Sequence, residues 1–305
     1  MTETRTEKHT LIIINPKAGK RLFIQLFLPQ ILQLFSKNGI VPIVQYTRFQ
    51  GHGARLVKRY EKVIDFVTIF GGDGTIDEVL QGMGDNPLPI GIIPFGTVNV
   101  LSLELGIPFN PIQAAQIIID GYLRKIDMGR INGKPFILMV STGIDAYAVH
   151  NVDLKLKKVM GKLAYGWSAL WSAATYKTRK IYITLPKEGI HDKGYMAVIA
   201  NSRYYGGRIN LDRETSIDDG ALNVILFKGA STLELFRTFF ELVSGRRKKM
   251  PDVSFYRTTS EVVVTSRKRL YMQTDGDKVP YDEAHITIAK RHLPVFVPRK
   301  QRPWS

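Results

Sequence analysis

A glycine-rich stretch, Gly71-Gly72-Asp73-Gly74-Thr75, contains the residue types that point most directly to a chemical role. It follows an apolar run at 63–70 and precedes a helix-like segment at 76–80. Glycines let the backbone approach an anion closely, and the free amides at a helix N-terminus point toward it. Because Asp73 would repel phosphate unless a cation or a hydrogen bond offset its charge, the stretch predicts a phosphate site with Mg²⁺ nearby. The alternative is a plain glycine-rich turn.

Two further loops follow predicted strands and offer backbone of the same kind. Residues 15–20 come after the apolar run 11–14, and residues 94–99 come after the run 90–93. In an open parallel sheet the ligand binds beyond the carboxyl ends of the strands, so the three loops are expected to converge. The sequence has neither a G-x-x-x-x-G-K-[ST] nor a G-x-G-x-x-G pattern, which excludes a Walker loop and a dinucleotide fingerprint.

Short apolar runs alternate with helix-like segments in the first part of the chain. Strands are predicted at 11–14, 40–46, 63–70 and 90–93, and helices at 22–37, 54–62 and 75–83. A kink or a late start is expected at Pro29, which lies inside the first helical pattern. The alternation predicts βαβ units and therefore an α/β domain with a parallel sheet.

The pattern changes near Arg124 to β-branched and aromatic runs. Strands are predicted at 134–141, 180–185, 195–200, 222–227, 261–266, 269–274 and 285–289, with helical stretches at 152–176 and 232–244. The expected fold class is an N-terminal nucleotide-binding α/β domain followed by a larger β-rich, antiparallel sandwich-like domain. The expected bounds are 1–125 and 126–292, and the C-terminal segment 293–305 is allowed to return to the first domain.

Charge and composition narrow the class of partner and compartment. The 305 residues have a formal net charge of +16, which favours nucleic acid, an acidic membrane surface or a phosphate-rich substrate. The chain has no cysteine, so disulfide frameworks and thiolate metal sites are excluded. The apolar stretches are shorter than the roughly 20 residues that span a bilayer, and the first residues lack a signal-peptide pattern. We expect a cytoplasmic protein.

Two amphipathic segments predict contact with a membrane surface. In residues 152–171 the apolar positions fall within an arc of roughly 120°, with lysines on the opposite side. A second apolar stripe is predicted at Leu233, Phe236, Phe239, Phe240 and Val243, followed by the basic cluster Arg246, Arg247, Lys248 and Lys249. Clustered cations beside an apolar face bind anionic headgroups. A core-facing helix with a solvated lysine face is the alternative.

An ordered set of motifs extends along nearly the whole chain. It comprises Asn15-Pro16 with Gly19, Thr47, Gly71-Gly72-Asp73-Gly74-Thr75, Pro94 with Gly96-Thr97 and Asn99, Tyr204-Tyr205-Gly206-Gly207, Asp218-Asp219-Gly220-Ala221-Leu222-Asn223-Val224, and Asp275-Gly276-Asp277. These motifs and their order resemble the bacterial diacylglycerol kinase-like lipid kinase family, which is related to the sphingosine kinases. The glycine-rich element alone is shared with NAD kinases.

The resemblance implies a role for each part of the site, with ATP and Mg²⁺ as cofactors. The implied nucleotide site consists of Asn15, Pro16, Lys17, Ala18, Gly19, Thr47, Gly71, Gly72, Asp73, Gly74, Thr75, Ile76, Asp77, Glu78, Gly96 and Thr97. Asp275 matches the catalytic residue that takes the proton from the lipid hydroxyl. A structural Mg²⁺ is implied at Asp219 with the carbonyls of Ser216 and Ala221, and Asp73 and Asp277 are further candidates for metal-linked roles.

Some positions depart from the family pattern. The usual Asp after the loop asparagine is Val100, the usual Asn before Glu78 is Asp77, and the usual Glu after the catalytic Asp is Asp277. Residues 212–215 replace the usual Pro-x-Ala, which makes Ser216 and Ala221 less certain ligands than Asp219. On spacing alone, Asp275-Gly276-Asp277 is equally compatible with an ordinary hairpin turn.

The expected function is therefore that of an ATP- and Mg²⁺-dependent lipid kinase. Its substrate would be diacylglycerol or a similar lipid in an anionic membrane surface, with the enzyme peripheral at the inner face of the membrane. The alternatives are an NAD kinase-like phosphotransferase and a non-catalytic protein that binds nucleotide and membrane. No nucleic-acid-binding motif is present, so nucleic acid is not expected as a partner. A homodimer is left open.

Overall fold

The computed structural model describes residues 7–17, 21–151, 176–205, 207, 209–210, 215–243 and 250–299. These residues form two compact units. The first comprises the described residues up to Ile126 and from Arg291 onward, and the second those from Asp127 to Lys290. Four sequence predictions fall outside the described residues: Ala18, Gly19, the amphipathic segment 152–171 and the basic cluster 246–249.

The first unit is a mostly parallel sheet with helices. Its strands are β1 Lys8–Ile14, β2 Ile40–Tyr46, β3 Phe66–Gly71, β4 Ile90–Pro94, β5 Leu123–Ile126 and the last strand of the chain, β20 Leu293–Phe296. Its helices are α1 Arg21–Lys37, α2 His52–Tyr60, α3 Asp73–Gly82, α4 Val100–Glu104 and α5 Pro111–Asp120. The sheet order is β2-β1-β3-β4-β20-β5, and β5 is antiparallel to β20 whereas the other neighbours are parallel.

The central strands of this sheet are apolar on both faces. The run from Leu11 to Ile14 and most of β3 are buried completely, as expected for parallel strands covered by helices on both sides. Their burial fixes where the strands end, and therefore where the loops after β1, β3 and β4 begin.

Two local predictions for this unit were wrong. The strand predicted at 63–70 begins at Phe66, because Val63 donates its amide to Tyr60 in a turn and is 58% exposed. The late start expected at Pro29 does not occur, since α1 runs from Arg21 through Pro29 to Lys37. Pro29 lies on the exposed side of the helix.

The second unit is β-rich and antiparallel. Its strands are β6 Gly129–Ile131, β7 Lys134–Phe136, β8 Met139–Thr142, β9 Ile181–Leu185, β10 Ile190–Gly194, β11 Met196–Ala200, β12 Tyr204–Tyr205, β13 Ile209–Asn210, β14 Leu222–Phe227, β15 Val253–Thr258, β16 Glu261–Thr265, β17 Met272–Thr274, β18 Asp277–Val279 and β19 Glu283–Ile288. The helices described in it are α6 Ile144–Asn151 and α7 Thr232–Val243.

Two six-stranded sheets enclose one apolar core in this unit. Their orders are β10-β9-β16-β19-β6-β7 and β15-β14-β11-β8-β17-β18, and β12 pairs with β13 separately. Buried side chains from both sheets, such as Val264 and Val140, belong to one cluster. The predicted fold class, an α/β domain followed by an antiparallel β-rich domain, is confirmed.

One strand prediction for this unit needs correction. The strand predicted at 134–141 is two strands, because β7 pairs with β6 in one sheet whereas β8 pairs with β11 and β17 in the other. The described buried side chains of α7 are Leu235, Thr238 and Leu242, and Phe236 and Phe239 of the predicted apolar stripe are half-buried. Leu233 is 79% exposed. Among the described helices, none is long and apolar enough to cross a membrane.

Candidate active site

The loops after β1, β3 and β4 meet at the carboxyl edge of the parallel sheet. Asn15 donates its backbone amide to the Phe70 carbonyl at 3.2 Å, and its side-chain Nδ2 donates to Thr75 Oγ1 at 3.2 Å. Phe95 donates its amide to the Gly71 carbonyl at 2.8 Å. These bonds join the three loops, as expected for loops that follow the carboxyl ends of parallel strands.

Gly72 and Gly96 bring two of these loops into backbone contact. A Cβ added to Gly72 would lie 2.8 Å from the Gly96 Cα, and one added to Gly96 would lie 2.6 Å from the Gly72 Cα. Asn99 fixes the second loop, because its Oδ1 accepts the Gly96 amide at 2.8 Å and its Nδ2 donates to the Gly96 carbonyl at 3.0 Å. Only glycine fits at this close approach, and the Asn99 side chain packs beside it.

Asp73 begins α3 and also closes the start of α4. Its Oδ2 accepts the Val100 amide at 2.9 Å, and its Oδ1 accepts the Leu101 amide at 3.2 Å. Burial raises the pKa of Asp73, although these amides act in the opposite direction. Burial disfavours the charged form of the carboxylate, and a cation beside it would favour that form. Asp73 therefore fits a role next to Mg²⁺.

The other predicted nucleotide residues differ in their exposure. Lys17 and Thr97 are exposed, as a ligand contact requires, whereas Thr47 is half-buried and donates its backbone amide to the Ile14 carbonyl at 2.8 Å. Asn15, Pro16 and Gly96 are half-buried, whereas Gly74 is exposed.

Three residues of α3 have structural contacts instead. Ile76 is buried in the core, and Asp77 is 3% exposed and accepts a hydrogen bond from Gln81 Nε2 at 2.9 Å. Glu78 Oε2 accepts the Gly53 amide at 3.2 Å, which ties α3 to the start of α2. In this geometry the side chains of Ile76 and Asp77 stabilise α3 and its packing and do not contact a ligand.

Asp275 lies in the second unit, at the tip of the hairpin between β17 and β18. Thr274 pairs with Asp277, so Asp275 and Gly276 form a two-residue turn, with φ values of 50° and 90°. The hairpin that the spacing allowed is therefore present. It does not exclude a chemical role, because the Asp275 carboxylate is held by contacts that a turn does not require.

Three consecutive backbone amides hold the Asp275 carboxylate. Its Oδ2 accepts from Ile137 at 2.7 Å, and its Oδ1 accepts from Leu138 at 2.9 Å and from Met139 at 2.8 Å. The first two amides belong to the connection between β7 and β8 and the third to the start of β8. The sequence pattern gave no indication of this connection. Amide donors stabilise a carboxylate and fix its orientation.

Asn201 fixes the same connection from its carbonyl side. Its Nδ2 donates to the Ile137 carbonyl at 2.6 Å and to the Asp127 carbonyl at 3.1 Å, and its backbone amide donates to the Leu138 carbonyl at 2.9 Å. Asn201 is completely buried. Sequence reasoning missed it, since a lone asparagine after a strand has no distinguishing spacing.

The residues of the predicted structural Mg²⁺ site lie together but bind one another. Asp219 Oδ2 accepts the Ser216 amide at 3.2 Å, and its Oδ1 accepts the Ala221 amide at 3.0 Å. The guanidinium of Arg257 lies 3.2 Å from Asp219 Oδ2. Because the Arg257 guanidinium already pairs with this carboxylate, the arrangement does not fit a bound cation as it stands.

Asp277 is exposed on β18, beyond the hairpin tip. Within the described parts of the chain, no group of three His, Asp or Glu side chains could hold a metal ion. The metal-linked role that fits the geometry best is therefore that of Asp73 beside a bound nucleotide.

Two family models together match most of the chain. The diacylglycerol kinase catalytic domain matches residues 9–131, and the YegS C-terminal NAD kinase beta sandwich-like domain matches residues 138–297. The chain belongs to the diacylglycerol kinase-like lipid kinase family. As a family member it is a kinase, a phosphotransferase with an alcohol as acceptor. The family and enzyme class expected from the sequence are confirmed.

Relatives match this family member over nearly its full length. It is 27% identical to a diacylglycerol kinase of Bacillus subtilis (strain 168), covering 96% of this chain and 98% of that protein. It is 28% identical to a diacylglycerol kinase of Staphylococcus saprophyticus, covering 95% and 96%. The crystal structure of a diacylglycerol kinase from Bacillus anthracis str. Sterne has the same fold, with a TM-score of 0.78, 23% identity and coverage of 97% and 99%.

Proposed function

We propose that this kinase transfers the γ-phosphoryl group of ATP to a hydroxyl of diacylglycerol or a similar lipid. The observation that supports this most is the joining of three backbone loops at one edge of the parallel sheet. Asn15 donates a hydrogen bond to Thr75, and Gly72 packs against Gly96. Asp73 lies between Gly72 and Thr75 in the sequence. The relatives named diacylglycerol kinase support the choice of lipid.

The first unit would bind the nucleotide through its backbone. Amides of the loops around Gly72 and Gly96 and the exposed ammonium of Lys17 can neutralise phosphate charge. The hydroxyls of Thr97, which is exposed, and Thr47, which is half-buried, follow strands of the same parallel sheet and can donate to the nucleotide. We infer ATP as the donor because this arrangement matches the nucleotide positions implied by the family.

Mg²⁺ would accompany the nucleotide. When bound, it neutralises the charge that develops on the transferred phosphoryl group. Asp73 is the residue that would hold it, since burial already disfavours the uncompensated charge on its carboxylate. We assign no step to a cation at Asp219.

Asp275 would act on the lipid hydroxyl. As the hydroxyl oxygen bonds to the γ-phosphorus, the bond from that phosphorus to the β-phosphate bridging oxygen breaks, and the hydroxyl proton passes to the Asp275 carboxylate. General-base contributions of this kind amount to about 10²–10⁴-fold in rate. The amides of Ile137, Leu138 and Met139 hold the carboxylate in one orientation for this role.

We further propose that the enzyme works at the inner, anionic surface of the membrane. Its net charge of +16 favours association with anionic lipid. The apolar side chain of Leu233, 79% exposed on α7, precedes the basic cluster 246–249 in the sequence. Light scattering would test the homodimer that the sequence leaves open.

A screen of phosphate transfer tests this proposal. The full chain would be incubated with γ-labelled ATP and Mg²⁺, and with diacylglycerol, other lipid alcohols or NAD as acceptor. We expect label in diacylglycerol or a similar lipid, and loss of transfer when Mg²⁺ is chelated. Label in NAD would instead support an NAD kinase-like activity, and binding of ATP without transfer to any acceptor would support a non-catalytic role.

A further inference from the structure

A series of hydrogen bonds connects the Asp275 hairpin to the interior of the second unit. The Gly276 amide donates to Gln273 Oε1 at 2.8 Å, and Gln273 Nε2 donates to Ser141 Oγ at 2.6 Å. Ser141 Oγ donates to Asp145 Oδ2 at 2.6 Å. Ser141 is completely buried, and Gln273 is 4% exposed.

The direction of each hydrogen bond follows from the first donor. A backbone amide can only donate, so the Gln273 oxygen faces Gly276 and its nitrogen faces Ser141. Ser141 accepts from that nitrogen and must therefore give its single hydroxyl proton to Asp145. A carboxylate is the side chain best suited to end this chain, since it accepts without having to donate.

Tyr205 reinforces the end of the chain at Asp145. Its hydroxyl donates to Asp145 Oδ2 at 2.7 Å. Burial raises the pKa of Tyr205, and the nearby carboxylate raises it further, so the phenol keeps its proton and remains a donor. Burial also raises the pKa of Asp145, whereas the bonds from Ser141 and Tyr205 act in the opposite direction.

The sheet register places this chain on one face of β8 and β17. Ser141 pairs directly with Gln273, and their side chains lie on the face opposite to Val140, which belongs to the core between the two sheets. Asp145 belongs to α6, a helix that packs against β8 and β17. The hydrogen bonds therefore connect a helix, two strands and the hairpin tip.

We propose that Gln273, Ser141 and Asp145 are positioning residues for Asp275, which rests on the base role given to Asp275 in the proposed function. The two turn residues are held from different sides. The Asp275 carboxylate binds the amides after β7, and the Gly276 amide is bound by Gln273. Asp275 has a left-handed φ of 50°, which costs free energy for a residue other than glycine unless its surroundings fix it.

Gln273→Met tests the proposal, because it keeps the length of the side chain and removes both of its hydrogen bonds. A misplacement of about 1 Å can cost on the order of 10²-fold in rate, so we expect kcat to fall about 10–100-fold with the KM for ATP unchanged. In an Asp275→Asn background the same substitution should cause no further loss. Equal losses in both backgrounds would overturn the proposal, since a purely structural effect would be additive.

Thr142→Val is the matched control. Thr142 is also completely buried on β8 and donates its hydroxyl to the Tyr271 carbonyl at 2.9 Å, but it lies on the opposite face from Ser141. We expect a similar loss of thermal stability and a kcat within about twofold of the wild type. If Thr142→Val lowered kcat as much as Gln273→Met at equal Tm, the hydrogen bonds from Gly276 to Asp145 would have no specific positioning role.

Hydrogen exchange at the Gly276 amide gives a readout that does not depend on turnover. We expect its protection to fall about tenfold or more in Gln273→Met and also in Ser141→Ala, which removes a single oxygen and still folds if the larger change does not. Unchanged protection in Ser141→Ala would overturn the connection to Asp145. Near-normal turnover in Asp275→Asn would instead refute the base role of Asp275. The exchange result would still show whether the hydrogen bonds through Gln273 and Ser141 hold the hairpin.

Discussion

Asp73 in the first unit and Asp275 in the second are both held by backbone amides. The two sets of amides differ in how far they lie from the aspartate along the sequence. Asp73 accepts amides from Val100 and Leu101, which follow the next strand of the parallel sheet. Asp275 accepts amides from residues 137 to 139, which precede it by 136 to 138 positions. One carboxylate is held by neighbouring loops and the other by a distant connection.

The difference follows from the two sheets. In a parallel sheet every strand ends at the same edge, so successive loops meet there whatever their exact register. In an antiparallel sandwich two residues meet only if the register of several strands is right, as in the pairing of Ser141 with Gln273. The first site therefore depends on local motifs, and the second depends on the whole sandwich.

The largest effect is expected from Asp275→Asn. If Asp275 takes the proton of the lipid hydroxyl, kcat should fall by about 10²–10⁴-fold, measured by transfer of labelled phosphate. ATP binding, measured by calorimetry, should be kept, because the loops of the first unit are unchanged. Asp282→Asn, an exposed aspartate shortly after the hairpin, is the matched control and should retain normal kcat.

A normal kcat in Asp275→Asn would mean that another residue is the base. Asp275 would then be an amide-bound aspartate without the chemical role proposed for it. Asn also places an NH₂ group against one of the amides that Asp275 accepts, so the variant should lose about 1–3 kcal/mol of unfolding free energy. Denaturation of the variant separates that loss of stability from the loss of rate.

The basic cluster 246–249 tests whether lipid binding belongs to the second unit. Replacing Arg246, Arg247, Lys248 and Lys249 with glutamine should weaken binding to anionic vesicles by up to about 10³-fold at low salt, because each cation near the surface contributes about 1 kcal/mol. The effect should shrink as salt is added. Activity on a short-chain, soluble lipid should be largely kept.

The matched control for the basic cluster removes the same charge from the first unit. Glutamine at Lys58, Arg59, Lys62 and Lys125, all exposed, should leave vesicle binding close to that of the wild type. Equal weakening by both sets would mean that net charge, not a particular surface, attracts the protein to lipid.

Asp73→Asn addresses the cation proposed for the first unit. We expect the Mg²⁺ concentration for half-maximal activity to rise about 10–100-fold, the size of effect typical of residues that support a metal site. Asp120→Asn, an exposed aspartate at the end of α5, is the matched control and should not change it. An unchanged Mg²⁺ requirement in Asp73→Asn would leave Asp73 with only its contacts to Val100 and Leu101.

The same contrast explains how far the sequence could predict the molecule. The bounds predicted for β2 match the structure, because apolar runs act locally, whereas the helix predicted to follow the glycine stretch begins within it, at Asp73. The roles of Gln273 and Asn201 could not be predicted, since Gln273 binds Ser141, 132 positions away, and Asn201 binds Ile137, 64 positions away. On α7 the described buried side chains include Leu235 and Leu242, which were not part of the predicted apolar stripe, because tertiary packing selects the buried face.

Substitution of Asp219, which pairs with Arg257, tests whether the second unit needs a structural cation. If the ion pair already balances Asp219, wild type and Asp219→Asn should respond alike to Mg²⁺ and to a chelator when Tm is measured. The pair itself should contribute at most about 1 kcal/mol, because Arg257 is 55% exposed. A rise in Tm with Mg²⁺ that Asp219→Asn abolishes would restore the site implied by the family.

The smallest effect is expected at His285, on the exposed side of the antiparallel sandwich, where charges pair across strands instead of binding buried amides. Its Nδ1 lies 2.9 Å from Glu261 Oε1 and its Nε2 lies 3.3 Å from Glu283 Oε1, and Glu261 is the main cause that raises the pKa of His285. A raised pKa in the folded state stabilises the protein below the ordinary value of 6.5, and that contribution is lost as pH rises through the higher folded value. Because the side chain is half exposed, His285→Gln should lower the unfolding free energy by only a few tenths of a kcal/mol at pH values below about 6, and by nothing near pH 9, in urea denaturation. A loss of equal size at both pH values would show that packing, not charge, is what His285 contributes.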